Sequence, residues 1–209
     1  MNNPTWDAAN VVIVTDDELV ALAAATESKF WGRVVTVEVD DPTELGRAEA
    51  RGRRSLAVRG FLTEGVEPVS LLQPLLSCLG LAPWALASRI DEEARLAPDS
   101  SLLLVFNTDD QEVVWRSDPT GTHVVAPVTR ELALGLLTDQ LAPTQSDQTL
   151  RTAVTLANAD GRGMGGFIRS SRGVVQVDNS GVPCGDVVES IGAAEIAALQ
   201  AHAPDAHAS

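Results

Sequence analysis

The sequence is poor in aromatic residues and in lysine. Tyrosine is absent, aromatic residues make up 4% of the 209 positions, and lysine occurs once, as Lys29. A hydrophobic core must therefore be built from leucine, valine, isoleucine and alanine, and the apolar share of 44% is large enough for one. A single lysine leaves little room for lysine-based catalysis.

Positive charge is scarce as well. The chain has 15 lysines and arginines against 29 aspartates and glutamates, which gives a net charge of −14. Because such a charge repels nucleic acid and anionic membrane surfaces, neither is expected as a partner. No apolar run approaches the roughly 20 residues of a membrane span, and residues 1–10 lack the positive and apolar regions of a signal peptide. These features predict a soluble, cytoplasmic protein.

Residues that commonly bind metals or act as nucleophiles are few and scattered. The two cysteines, Cys78 and Cys184, lie far apart in sequence, and the three histidines are His123, His202 and His207. None of them has zinc-ligand spacing, and neither a G-x-S-x-G motif nor a Walker lysine motif is present. The cysteine usage suits a reduced compartment. We predict a buried thiol at Cys78 and a structural or exposed role for His123, and leave open whether the cysteines pair.

Gly161, Gly163 and Gly166 match the G-x-G-x-x-G spacing of dinucleotide-binding loops. In those loops the third glycine opens a helix whose free N–H groups hold the pyrophosphate. Here residues 167–178 form two short runs on either side of a Ser-Arg-Gly turn, which predicts a β-hairpin instead of a helix. No cofactor is therefore expected.

Carboxylates occur as four adjacent pairs, Asp16–Asp17, Asp40–Asp41, Glu92–Glu93 and Asp109–Asp110. Adjacent residues on a strand point to opposite faces, and the other pairs fall at helix caps and turns, so structural roles explain every pair. An active site made of carboxylates that the fold brings together is the alternative. No catalytic or metal-binding residue is predicted, and the protein is not expected to be an enzyme.

Two other features could serve a protein partner. Residues 47–59 carry five arginines on a predicted helix; we expect a solvated face that offsets local acid, with a phosphate site as the alternative. Trp115 and Arg116 lie on a predicted strand and are residue types that anchor interfaces, while Trp115 fits the core equally well. Helices that cover one side of a sheet would leave its other side available. No individual residue is assigned to partner binding.

The order of predicted elements gives the fold class. The strands are predicted at residues 10–14 and 33–41, in a meander of four runs within 84–128, in the glycine hairpin and at 186–189. The helices are predicted after capping boxes at 15–18 and 41–44, the second ending at Gly60, then at 68–81, around Leu132 to Leu141, around Leu150, Ala153, Val154 and Ala157, and at 193–201.

We predict an α/β protein of the α+β type with a central, mainly antiparallel sheet and helices packed on it. The order of a helix, a meander and a second helix occurs twice along the chain, so two pseudo-similar halves are expected. The N-terminal half covers residues 1–141, a linker 142–148, the shorter C-terminal half 149–203 and a disordered tail 204–209.

Several segments resemble the EspG-type proteins of actinobacteria. VTDDELVALAAAT, ELGRAEARGRRSLAVRGFLTEG and VEPVSLLQPLLSCLGL are similar to the opening of that family, and THVVAPVTRELALGLLTDQL is similar to the strand and helix that end its first half. GVVQVDNSGVPCGDVVES is loosely similar to its final strands. On this resemblance the chain looks like a short, divergent member.

The resemblance implies a cytosolic chaperone of type VII (ESX) secretion. Such a protein binds the tip of a PE–PPE-like helical heterodimer and shields its apolar residues until export, acting by binding alone and without a cofactor. The alternative is a non-catalytic α/β interaction or regulatory module, immunity-like for example, with another protein partner. The partner's identity, its contact residues, the oligomeric state and the strand order are left open.

Overall fold

A computed structural model describes residues 10–28, 35, 40–64, 67–90, 101–108, 111–143, 151–158 and 162–201. Within these ranges one sheet of eight strands is accompanied by five α-helices. The strands are β1 (Val12–Thr15), β2 (Ala85–Ile90), β3 (Leu102–Asn107), β4 (Glu112–Ser117), β5 (Thr122–Val128), β6 (Arg151–Ala157), β7 (Gly163–Ser170) and β8 (Gly173–Val177). The helices are α1 (Asp16–Ala25), α2 (Pro42–Val58), α3 (Gln73–Cys78), α4 (Arg130–Gln140) and α5 (Ala193–Ala201).

The strands lie in the order β1-β5-β4-β3-β2-β6-β7-β8, and every neighbouring pair is antiparallel. Strands β2 to β5 form the predicted meander, and β6 adds to the free side of β2 from Ala85↔Leu156 to Ile90↔Arg151. Strands from both sides of the predicted linker therefore share one sheet. The predicted α+β class is confirmed, whereas the division at 142–148 stays a prediction because residues 144–150 lie outside the described part.

Helices pack on both faces of the sheet, so the expectation that they cover one side is wrong. On the front face, α1, α2 and α3 enclose a core that includes Leu104, Phe106 and Trp115. On the back face, α4 and α5 enclose a second core that includes Val105 and Val114. Alternate residues of β3 and β4 thus enter different cores, which explains why these central strands have apolar residues at successive positions, as in Leu102–Phe106 and Val113–Trp115.

The first two helices begin at the predicted caps. Thr15 Oγ1 accepts from the Glu18 amide at 3.4 Å, and Glu18 Oε2 accepts from the Thr15 amide at 3.0 Å, which is a complete capping box. Asp41 Oδ1 accepts from the Thr43 amide at 2.8 Å to start α2. That helix ends at Val58, shortly before the predicted stop residue.

The helix predicted around Ala153, Val154 and Ala157 is wrong, because Arg151–Ala157 forms β6; Leu150 lies outside the described residues. Ala153 and Val154 are adjacent, and both are buried because the two faces of β6 both contact protein. Apolar residues at three- and four-residue spacing therefore fit this strand as well as a helix. Pairing with β2 on one side and β7 on the other decides between them.

The helix predicted over residues 68–81 is shorter than expected. A 3₁₀ turn at Ser70–Leu72 leads directly into α3, whose first turn contains Pro74. Pro68 instead pairs with Leu62 in an isolated antiparallel bridge. Because proline has no N–H and its ring blocks the preceding turn, Pro74 is compatible with the start of a helix but not with its middle.

The strand predicted at residues 186–189 is also wrong. This segment contributes one isolated bridge, Val188 to Val174, and a second bridge joins Pro183 to Val177. Pro183 cannot donate to a ladder, so pairing along the edge of β8 stays intermittent. The strand predicted at 33–41 and the tail at 204–209 lie largely or wholly outside the described residues. No helix in the described ranges has the length and apolarity that crossing a membrane requires.

Candidate partner-binding cleft

An open cleft of about 590 Å³ lies on the back face, between β7 and β8, the segment 185–191 and α5. Its apolar lining consists of Phe167, Val188, Ile191, Ala198 and Leu199. Phe167 is 5% exposed and forms the floor, whereas Val188 is 44% exposed at the mouth. A concave apolar surface of this size can accept apolar side chains of a partner.

Backbone hydrogen bonds to the edge of β8 hold one wall of the cleft. Val188 and Val174 exchange two of them, with N···O distances of 2.9 and 2.8 Å, and the Cys184 amide donates to the Gln176 carbonyl at 3.0 Å. Gly173 makes this approach possible: its φ is +129°, and a Cβ atom there would lie 2.4 Å from the Val188 carbonyl oxygen. The wall is therefore built on the sheet although residues 181–190 are all exposed.

A network of polar side chains holds α5, the opposite wall. Glu112 Oε2 accepts from the Trp84 indole N–H at 2.8 Å, and Glu112 Oε1 accepts from Arg130 Nη1 at 2.7 Å. The Arg130 guanidinium also lies 5.5 Å from the centroid of the Trp84 ring and donates through Nη2 to Gln200 Oε1 on α5. Ile196 is fully buried beneath the helix. Charge-assisted bonds of this kind fix orientation as well as contributing free energy.

The rim of the cleft is acidic. Asp186 and Glu195 both line it and are exposed. Glu195 Oε2 also accepts from the Gly192 amide at 2.9 Å, which ties the carboxylate to the start of α5. Arg169 does not pair with either rim carboxylate, because its Nη1 donates to the Glu189 carbonyl at 2.6 Å. A partner that presents apolar side chains flanked by basic or neutral polar groups would match this surface.

His123 lies in the front core rather than in a cleft. It is 0% exposed, its Nδ1 accepts from the Trp115 indole N–H at 3.2 Å, and its Nε2 lies 2.7 Å from Asp16 Oδ1. Because an indole N–H can only donate, Nδ1 must be the acceptor and Nε2 carries the proton that is donated to Asp16. Both ring nitrogens are occupied in a site closed to solvent, so the structural role predicted for His123 is confirmed and Trp115 is a core residue.

Three of the four carboxylates in the two described pairs have structural partners. Asp16 bonds to His123, and Asp17 receives both Nε and Nη2 of Arg51 at 2.7 and 2.9 Å. Asp41 caps α2. The pairs Glu92–Glu93 and Asp109–Asp110 lie outside the described residues. Within the described part of the chain, no group of three or more histidine, cysteine or carboxylate side chains could hold a metal ion.

Two arginines, Arg51 of α2 and Arg59 at its C-cap, tie that helix to α1. Hydrogen bonds from Arg51 to Asp17, and then to Glu44, raise the pKa of its guanidinium. Arg59 reaches further: Nη1 donates to the buried carboxylate of Glu18 at 2.6 Å and Nη2 donates to the Ile13 carbonyl at 2.8 Å. These bonds fit the expectation that the arginines offset local acid.

The cysteines do not form a disulfide. Cys78 is buried and Cys184 is exposed, and both are free. Burial raises the pKa of the Cys78 thiol to about 12, and its Sγ donates to the Pro74 carbonyl at 3.3 Å. The thiol predicted to be buried at Cys78 is confirmed, and burial makes it unreactive.

The glycine-rich segment forms the predicted hairpin. Gly163 and Gly166 lie on β7, which pairs with β8 from Gly166↔Val177 to Ser170↔Gly173; Gly161 lies outside the described residues. No helix follows Gly166, so the geometry of a dinucleotide loop is not formed there. A Cβ atom on Gly166 would lie 2.1 Å from the Val154 carbonyl oxygen, so the missing side chain lets β7 lie this close to β6.

Sequence reasoning did not find the cleft. The lining residues come from β7, β8, the irregular segment and α5, and their apolar character alone does not distinguish them from core residues. The one local signal was the pair Val187–Val188, and it was interpreted as part of a strand at residues 186–189. Bringing these residues together depends on the edge pairing at Val174 and on the contacts of α5.

The fold is similar to that of a solved chaperone. The match is to EspG5, the chaperone of a type VII secretion system of Mycobacterium tuberculosis, in a structure of its complex with a PE25–PPE41 dimer. It covers 79% of this chain and 85% of that chain, with a TM-score of 0.52 and 13% sequence identity. No protein-family model and no curated protein match the sequence. At this identity the likeness establishes an EspG-like fold.

Proposed function

We propose that the protein is a binding chaperone for a helical secretion substrate of the PE–PPE type. The observation that carries the proposal is the structural likeness to EspG5, which extends over most of both chains. The EspG5 structure contains a bound PE25–PPE41 dimer. His123, Asp16 and Asp17 are all engaged in hydrogen bonds with other side chains of the protein, which supports a function that uses binding rather than catalysis. In this account the protein needs no cofactor.

The client would bind in the cleft between β8 and α5. Its floor and mouth are apolar, and both walls are fixed by hydrogen bonds before any partner arrives. A preformed apolar cleft binds with little loss of conformational entropy. Covering exposed apolar side chains of a helical pair would also keep that pair from aggregating, which is the physical purpose of such a chaperone.

The neighbouring valines Val187 and Val188 give a matched test. They are 56% and 44% exposed, but only Val188 lines the cleft. Val188→Asp therefore places a charge in the cleft, and Val187→Asp places the same charge outside it.

The experiment mixes the protein with a PE–PPE-type heterodimer from the same organism. Size-exclusion chromatography with light scattering should show a complex with one chaperone per heterodimer, and calorimetry should give its affinity. We expect Val188→Asp to weaken binding about 10-fold or more, the effect of burying one unpaired charge at an interface, and Val187→Asp to leave it unchanged. Absence of a complex with the wild-type protein would reject the chaperone function. Equal binding by both variants would reject the cleft as its site.

A further inference from the structure

The solvent-facing side of α2 carries an unusual combination of side chains. We define the α2 outer face by residues that lie opposite the buried Ala48, Gly52 and Leu56: Thr43, Arg47, Ala50, Arg54, Ala57 and Val58. All six are exposed, and Val58, at 88% exposure, is the most exposed large apolar residue of the described chain. Their spacing of three and four residues places them on one stripe of the helix.

The arginines of α2 and its C-cap differ in how firmly they are paired. Arg51 binds Asp17 on α1, and Arg59 binds Glu18, whose side chain is fully buried. In contrast, the Arg47 side chain is 69% exposed and has one ion pair, with an N···O distance of 3.8 Å to Glu44. Among the described residues Arg54 makes no ion pair at all. Arg47 and Arg54 are therefore left to act on a partner.

This positive stripe occurs on an acidic protein. Five of the chain's 15 basic residues lie between positions 47 and 59, while its net charge is −14. A second copy docking α2 against α2 would bring like-charged arginines together. Nucleic acid would match the charge of the arginines, but its backbone offers no apolar group to cover Val58.

We propose that the α2 outer face docks an acidic, amphipathic helix of a partner protein. Carboxylates on that helix would pair with Arg47 and Arg54, and an apolar side chain would cover Val58. Ala50 and Ala57 let a second helix approach closely between the arginines. This surface belongs to the front face of the sheet, whereas the cleft at α5 belongs to the back face, so the two sites are separate and the inference does not depend on the proposed client.

The test uses a defined probe, a fluorescein-labelled helical peptide of 18 residues with leucine on one stripe and glutamate on both sides of it. An isomer with lysine in place of glutamate is the control peptide. Titration into ¹⁵N-labelled protein should shift amide resonances of residues 43–58, and fluorescence anisotropy should show binding that weakens with salt. The lysine peptide should not bind.

Variants then locate the site. Arg54→Glu and Val58→Asp should each weaken peptide binding about 10-fold, since one reverses a charge and the other removes the apolar contact. Arg116→Glu is the matched control because Arg116 is an exposed arginine on β4, on the other face of the sheet. Circular dichroism should show that all three variants stay folded.

The proposal is overturned if the resonance shifts lie outside residues 43–58, or if Arg116→Glu weakens binding as much as Arg54→Glu does. Equal binding of the lysine peptide would show that charge complementarity does not operate. Displacement of the peptide by oligo-dT would assign the face to nucleic acid, and concentration-dependent dimerisation abolished by Val58→Asp would assign it to a second copy. Either result replaces the acidic helix as the occupant.

Discussion

Two glycines on α2 should respond in opposite ways to the same substitution. Gly52 lies where α2 crosses α1, and a Cβ atom there would lie 1.9 Å from the Asp17 carbonyl oxygen and 2.9 Å from the Ala21 Cβ. Gly46 lies on the same helix with no heavy atom within 4 Å of such a Cβ. Alanine is favoured over glycine in a helix by about 0.5–1 kcal/mol, so this gain applies at both positions.

At Gly52 the gain is opposed by a clash with backbone. Overpacking a core typically costs about 1–3 kcal/mol, and a carbonyl of α1 cannot rotate away as a flexible side chain can. We therefore expect Gly52→Ala to lower the free energy of unfolding by about 2 kcal/mol and Gly46→Ala to raise it by up to about 1 kcal/mol. For a chain of this size the first change would lower Tm by about 4–8 °C.

Urea titration monitored by far-ultraviolet circular dichroism measures the free energy of unfolding of both variants. The midpoints should move in opposite directions while the slope m stays constant, since neither substitution changes the surface exposed on unfolding appreciably. A Gly52→Ala variant as stable as Gly46→Ala would refute the close crossing of α1 and α2, and with it the arrangement of the front face.

Three further predictions concern single side chains, two in the front core and one in the network that holds α5. Trp115→Phe removes the N–H that His123 Nδ1 accepts, and the unsatisfied nitrogen should lower the free energy of unfolding by about 1–3 kcal/mol in urea titrations; an unchanged value would contradict the hydrogen bond. Burial raises the pKa of Cys78 from 9.0 to about 12, so between these pH values the folded state keeps a proton that the unfolded chain releases. Stability should therefore fall as pH rises through this window, by up to about 1.4 kcal/mol per unit, and an equal slope in Cys78→Ala would argue against this cause. Arg130→Ala should release Gln200 and speed hydrogen exchange in α5 with little change elsewhere, and unaltered exchange would mean that the network does not hold the helix.

The fold could be predicted where its signals are local. The capping box at Thr15 and Glu18 and the meander strands depend on residues close in sequence, and the structure has them where the pattern placed them. The dinucleotide motif could be rejected because the residues after Gly166 form two short runs around a Ser-Arg-Gly turn, which is typical of a hairpin and not of a helix. At Val154 local spacing was compatible with both helix and strand, and pairing with β2 across more than sixty residues of chain decided it.

The sites depend on contacts that no local pattern reports. The bond between His123 and Asp16 joins residues 107 apart, and the bond from Arg130 to Gln200 joins residues 70 apart. Val188 became part of a cleft only because a glycine at 173 lets its backbone approach β8. The sequence shows which residue types are available, whereas the sheet topology determines which of them meet.

The most direct test of the chaperone proposal is hydrogen–deuterium exchange of this protein with and without a purified PE–PPE-type heterodimer. The account predicts protection of residues 185–199, which form the mouth of the cleft and α5, together with unchanged exchange at the buried strands β3 and β4. Absence of protection anywhere at saturating heterodimer would contradict the chaperone function. Protection confined to another surface would contradict the cleft as the client site.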